Sequence, residues 1–141
     1  MKTLSLASLA LVMLIGGCTA PTPPSLPTSP ACRAGEPMVQ TSLYFGLSRP
    51  HGADITAQEW QTFVDQEVTP RFKAGLTVFD AKGQWLEASG KIAREPSRVL
   101  MVIHPVSALA EQNMEALRAR YQQQFQQESV MRVDSPVCVA F

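Results

Sequence analysis

Apolar and polar residues alternate through residues 39–48. Val39, Thr41, Leu43, Phe45 and Leu47 share one parity and Gln40, Ser42, Tyr44, Gly46 and Ser48 the other, the period of a strand with one buried face. Beyond a loop holding Pro50 and Gly52 the period changes to that of a helix, with Trp60, Phe63, Val64 and Val68 on one face. Thr56 and Glu59 have the spacing of a capping box, Ile55 and Trp60 that of a hydrophobic staple, and Pro70 ends the pattern. Gly75 opens a second strand over 76–79, Asp80 to Gly83 reads as a turn, and 84–86 as a short hairpin partner, with 87–97 looping back. The run from Arg98 to His104 is apolar on both parities, as in a central strand with both faces at least partly covered. Ser107 caps a second helix whose stripe is Ala110, Met114, Leu117, Tyr121 and Phe125. The last strand, within 129–141, puts Met131, Val133, Val137, Val139 and Phe141 on one parity and Arg132 and Asp134 on the other. Pro136 cannot donate to a ladder, which places this strand at an edge or a bulge.

This order predicts an α+β fold, the ferredoxin-like βαββαβ sandwich, with an antiparallel sheet and two helices on one face. In it the first and third strands are central, and the last lies antiparallel beside the first. Cys138 then falls near Cys32, and the pair is expected to form a disulfide closing a loop of about a hundred residues.

The N-terminus has another character. After Lys2 comes an apolar run from Leu4 to Ile15 of about a dozen residues, where a membrane span needs ~20, and then Gly16, Gly17 and Cys18. Leu14-Ile15-Gly16-Gly17-Cys18 resembles the lipobox of bacterial lipoproteins. The resemblance implies diacylglyceryl transfer to the Cys18 thiol, cleavage before it, and acylation of the new amino group, as by palmitate. Thr19 is not the aspartate of the inner-membrane retention signal, so the expected address is the outer membrane, facing the periplasm. Residues 1–17 are thus the signal peptide. Residues 18–37, rich in proline, form the tether, and 38–141 the domain.

Charge narrows the partners further. The chain of 141 residues carries 12 basic and 12 acidic side chains, and losing Lys2 leaves the mature form near neutral. A basic patch for nucleic acid is missing, and so is a polybasic run for anionic lipid, so the acyl chains alone would hold the protein at a membrane. No phosphate loop, Ser-His-Asp ordering or metal-spaced cluster occurs, and neither a cofactor nor a metal is expected.

The segments Leu43-Tyr44-Phe45-Gly46, Thr69-Pro70-Arg71-Phe72, Gly75-Leu76-Thr77-Val78, Arg94-Glu95-Pro96-Ser97-Arg98-Val99-Leu100, Glu128-Ser129-Val130 and Arg132-Val133-Asp134-Ser135-Pro136 resemble a family of small bacterial proteins, domain of unknown function 3574. Its hallmark is a T-P-R-F-P motif, of which Lys73 replaces the final proline. The resemblance implies a single domain and no assigned activity.

Strand parity supplies a candidate binding face. With Leu43, Phe45, Val133 and Val139 turned toward the helices, Tyr44, Phe79, Arg98, His104, Arg132 and Asp134 are expected on the opposite face, around Leu100 and Val102. Tyr44 also has the place of a stacking residue in RNA-recognition domains, but the third strand lacks the paired aromatics. Arg71 is expected to bond the last helix carbonyls or to pair with a carboxylate such as Glu95. The function this points to is a periplasm-facing lipoprotein that binds an envelope protein or small ligand without catalysis. The alternative is a cofactor-independent enzyme of the dimeric α/β-barrel type. There a homodimer encloses the open face, with His104 as general base, Arg132 holding an anion and Tyr44 donating a hydrogen bond.

Overall fold

A computed structural model describes residues 31–86 and 88–141. Cys18 and most of the tether lie outside the described residues. The elements are β1 (Glu36–Gly46), α1 (Ala57–Phe63) continued by a π-helical turn (Val64–Val68), β2 (Thr77–Leu86), β3 (Ile92–His104), α2 (Ala108–Phe125) and β4 (Met131–Val139). Their sheet has the order β2-β3-β1-β4, every neighbour antiparallel. This is the ferredoxin-like sandwich, and Pro136 stands on an edge strand as its missing N–H requires.

Both helix starts follow from the sequence. Thr56 Oγ1 accepts from Glu59 N while the Glu59 carboxylate accepts from Thr56 N, the reciprocal capping box. Ser107 Oγ caps α2 through Ala110 N at 3.1 Å. After Phe63 the helix widens, with Thr69 N bonding Val64 O at 2.9 Å. Val64 and Val68 stay buried through this turn, and Phe72 joins them after Pro70.

The core lies between the helices and the inner face of the sheet. Phe45 projects from β1 into a cluster of rings, with centroids 4.6 Å from Tyr121, 5.2 Å from Trp60 and 6.0 Å from Phe63. Their edge-to-face packing is the favoured aromatic geometry. The Tyr121 hydroxyl donates to Gly46 O at 2.7 Å, so the phenol of the cluster is satisfied at the end of β1.

The hairpin differs from expectation. No turn occurs at Asp80 to Gly83, because β2 runs unbroken to Leu86 and the turn falls after it, where Gly90 adopts φ 80°. Residues 92–97, expected to loop, are the first half of β3 and pair with β2 from Ile92↔Leu86 through Ser97↔Ala81. Asp80 is held in the ladder by an ion pair with Arg98 directly opposite. Because β1 ends at the Gly46↔Ser97 pair, the far half of this hairpin projects past the sheet as a two-stranded arm. Trp85, Leu86 and Ile92 on it are exposed.

Cys32 and Cys138 form the expected disulfide, with a Cα–Cα distance of 5.6 Å and 106 residues of separation. Loop-closure estimates for that length give about 4–5 kcal/mol of stabilisation. The mature chain with Cys18→Ser should show no titratable thiol without reductant, and reduction should lower its melting temperature. Two free thiols in the folded protein would contradict this pairing.

Candidate functional site

Side chains of directly opposed residues share a face of the sheet, so the pairing register assigns the two faces. Thr41, Leu43 and Phe45 lie opposite Val102, Leu100 and Arg98 on β3, and Thr41 and Leu43 lie opposite Asp134 and Arg132 on β4. All of these face the helices. The candidate face therefore divides: Tyr44 and Phe79 stand on the open side, whereas Arg98, His104, Arg132 and Asp134 stand on the helix side, with Leu100 and Val102 in the core. Val133 and Val139, expected inward, are on the open face.

The physical reason is the partner α2 offers. Arg132 reaches up to the Glu111 carboxylate through two bonds of 2.6 and 2.7 Å and to Glu115 at 2.9 Å, while its Nε bonds Asp134. Bidentate charge pairing of this kind outweighs the apolar preference at a sheet margin. The chain continues inward: Thr41 Oγ1 donates to Asp134 Oδ1 at 2.6 Å and contacts His104 Nε2 at 2.9 Å, while His104 Nδ1 faces Pro105 O at 3.0 Å. His104 is buried between Thr41 and the Pro105 carbonyl, at the end of its strand. The charges hold one another in place. Arg132 is raised well above the ordinary guanidinium range, chiefly by Glu111. Glu111 is lowered by its bonds to Arg132, and Glu115 by those to Arg118 and Arg132. Asp134 is lowered too, its partial burial being overcome by Thr41 and Arg132.

Arg71 bonds the Glu67 carbonyl and carboxylate rather than Glu95, so the Thr69 to Phe72 motif is a helix terminus with Phe72 buried beneath it. His51 is exposed in its loop. Among the described residues no cluster has the makings of a metal site.

The open face carries Met38, Gln40, Ser42 and Tyr44 from β1, Ile103, Met101 and Val99 from β3, Val137, Ser135, Val133 and Met131 from β4, and Thr77, Phe79 and Ala81 from β2. Over this span it bears no carboxylate, lysine, arginine or histidine. Phe79 is 49% exposed, Val133 43% and Met131 55%, a continuous apolar surface on a folded domain.

Where the face meets the projecting arm there is a cleft of about 1160 Å³, bordered by Tyr44, Gly46, Trp85, Glu95, Ser97 and Met131. Gln127 Nε2 donates to Ser48 O at 2.6 Å and ties the α2–β4 loop to the β1–α1 loop along its rim. Glu95 and Gly46 belong to segments singled out for family resemblance, but their meeting was hidden in the sequence by the turn expected at Gly83.

No curated protein sequence matches the chain. A family model described as protein of unknown function (DUF3574) matches residues 40–141. Among solved structures, a phage SAM lyase in complex with S-methyl-5'-thioadenosine is similar at 17% identity and TM-score 0.57, over 79% of this chain and 97% of that one. A phage SAM lyase in its apo state is similar at 16% identity and TM-score 0.54, over 80% and 98%. CutA from Synechococcus elongatus is 16% identical with TM-score 0.48, over 72% and 78%. The lyases share the fold with this chain, and at such identity the likeness carries no chemistry across.

The paired carboxylates fix the sign of the acid response. Glu59 is lowered to about 2 by the Thr56 backbone N–H, Arg49 and the Thr56 hydroxyl, and Glu67, Glu111, Glu115 and Asp134 are also lowered. Groups with depressed folded values stabilise fully above their unfolded values and lose that contribution as pH falls through the folded ones. The melting temperature should therefore decline below about pH 4.5, the unfolded glutamate value. Arg132→Gln should lower it at pH 7 and make the decline shallower. A wild-type melting temperature that stays level from pH 4.5 to 2 would contradict the assignment.

Proposed function

We propose, for a chain that belongs to the DUF3574 family of proteins of unknown function, that it is a non-catalytic binding module of the cell envelope. In this reading acyl chains on Cys18 hold it at the outer membrane, and the Pro-rich segment presents its domain to the periplasm. The anchoring half rests on the sequence from Leu14 to Cys18, and several acyl chains meet the requirement for stable attachment. The binding half rests on one observation: the middle of the open face, from Met38 to Tyr44 and across to Phe79 and Val133, is largely apolar and free of charged side chains, while Arg98, His104, Arg132 and Asp134 are engaged on the other side of the sheet. Of the residues on which the catalytic alternative was built, His104 and Arg132 lie on the helix side and Tyr44 on the open face, which favours the binding reading.

The occupant of the open face in this reading is a second copy of the domain. An uncharged face can meet itself about a twofold axis without opposing like charges. Four strands about 4.8 Å apart and some seven residues long present roughly 450 Å² in projection. Corrugation raises the accessible area, and Trp85 on the same side of the arm extends it toward the ~800 Å² per partner of a standard interface.

Two outcomes are expected. In membranes of the producing bacterium, labelled palmitate should enter the wild-type protein and not Cys18→Ala; equal labelling of both would remove the anchor. Light scattering on the secreted Cys18→Ser chain should give a dimer at micromolar concentration, converted to a folded monomer by Phe79→Lys or Val133→Lys. A wild-type monomer would overturn self-association.

A further inference from the structure

The cleft at the root of the arm holds a carboxylate, Glu95, whose setting is unlike that of the paired carboxylates described above. Glu95 lies on the backbone of Gly46: a Cβ at that position would stand 2.4 Å from its Oε1 and 2.6 Å from its Oε2, so a side chain there would push the carboxylate from its place. Oε1 accepts the Ser48 N–H at 3.0 Å. Among the described residues no lysine, arginine or histidine forms an ion pair with Glu95, and no donor engages Oε2. The carboxylate is thus positioned by the backbone and left without a counter-charge.

The basic residues nearby are spoken for or turned away. Arg49 is paired with Glu59 at 2.6 Å. Lys82 and Arg94 border the cleft but stand opposite Pro96 and Gln84 in the ladder, on the other face of the arm from Glu95. Around the carboxylate the floor is made of small residues, since Ala81, Ser97 and Gly46 form one row across three strands and Gly83 follows opposite Glu95. Large apolar side chains flank that floor. On one side Tyr44 and Met131 form the next row, and on the other the Trp85 indole lies over Gly83, with Cζ3 3.6 Å from where a Cβ would be. Three segments that carry the family resemblance, those of Tyr44 and Gly46, of Glu95 and Ser97, and of Glu128 and Ser129, converge on this one cleft.

We infer that this cleft is a ligand site for a small molecule carrying a protonated amine on an aromatic or otherwise apolar body. The ammonium group takes the free oxygen of Glu95, in a charge-assisted bond that the ordered, partly screened carboxylate is already placed to accept. The body lies on the small-residue floor against Trp85 or Tyr44, whose ring faces also attract a cation. An anionic ligand on the small-residue floor would face the Glu95 carboxylate, with Lys82 and Arg94 bordering the cleft from the other face of the arm. The inference goes beyond the docking reading; Tyr44, Met131 and Trp85 border both surfaces, and the titration below reads the cleft whereas light scattering reads the face.

The test is a ¹H–¹⁵N NMR titration of the secreted full-length mature chain carrying Cys18→Ser, with 2-phenylethylamine as probe and 3-phenylpropionate and benzyl alcohol as anionic and neutral comparators. The amine should give saturable shifts confined to Tyr44, Gly46, Ser97 and the Trp85 indole N–H, and the comparators should not. Glu95→Gln keeps an acceptor for Ser48 N–H and should weaken the amine about tenfold, whereas Arg94→Gln should leave it unchanged. Trp85→Ala, on an exposed arm outside the core, should weaken it too and decides the matter if Glu95→Gln does not fold. Unsaturable or scattered shifts, wild-type affinity in both Glu95→Gln and Trp85→Ala, or tighter binding of 3-phenylpropionate would each overturn the proposal.

Discussion

The contact between Tyr121 and the end of β1 is the constraint on which the rest of the molecule depends. Its ring is buried against Phe45, Phe63 and Phe125, with centroids 4.6, 5.1 and 4.8 Å away, which joins both helices to the central strand. Its hydroxyl can reach only what the core offers, and it finds Gly46 O. Burial first, and the nearby Glu95 carboxylate second, push the phenol well above its ordinary range, so it stays a donor at any physiological pH. One side chain therefore fixes how deep α2 sits and where β1 stops. Where β1 stops, the β2–β3 hairpin continues alone, and the cleft opens at that step.

Much of this was legible in the residues, and what was not has definite causes. Helix starts were readable because Thr56, Glu59 and Ser107 act locally through their own turn. The order of elements, the edge position of β4 and the disulfide followed from period, Pro136 and cysteine arithmetic. The hairpin was misplaced because Asp80, Lys82 and Gly83 have turn chemistry, yet a cross-strand ion pair and ten consecutive ladder pairs keep them extended. Such pairing is non-local, and a sequence window does not contain it.

The faces of β3 and β4 were harder still. Hydrophobic parity tells which side is buried only when one side is polar, and β3 is apolar on both. On β4 parity pointed the wrong way, because Arg132 is half-buried by its partners on α2 and not by its own chemistry. The side chains that looked like a convergent polar site thus serve as the clasp between α2 and the sheet margin. What they leave behind is a face whose middle, from Met38 to Tyr44 and across to Phe79 and Val133, bears no charge. Its border with the arm is where an unpaired carboxylate and two aromatic residues come together.

In the proposed reading the face bearing Phe79 and Val133 meets a partner, while the face bearing Asp134 is covered by α2. The most direct measurement is photo-crosslinking in intact cells with a benzophenone amino acid placed singly at positions 79, 133 and 134. The account predicts an adduct of twice the chain mass from positions 79 and 133, and none from 134. Crosslinks from 134 alone, or from no position, would contradict it.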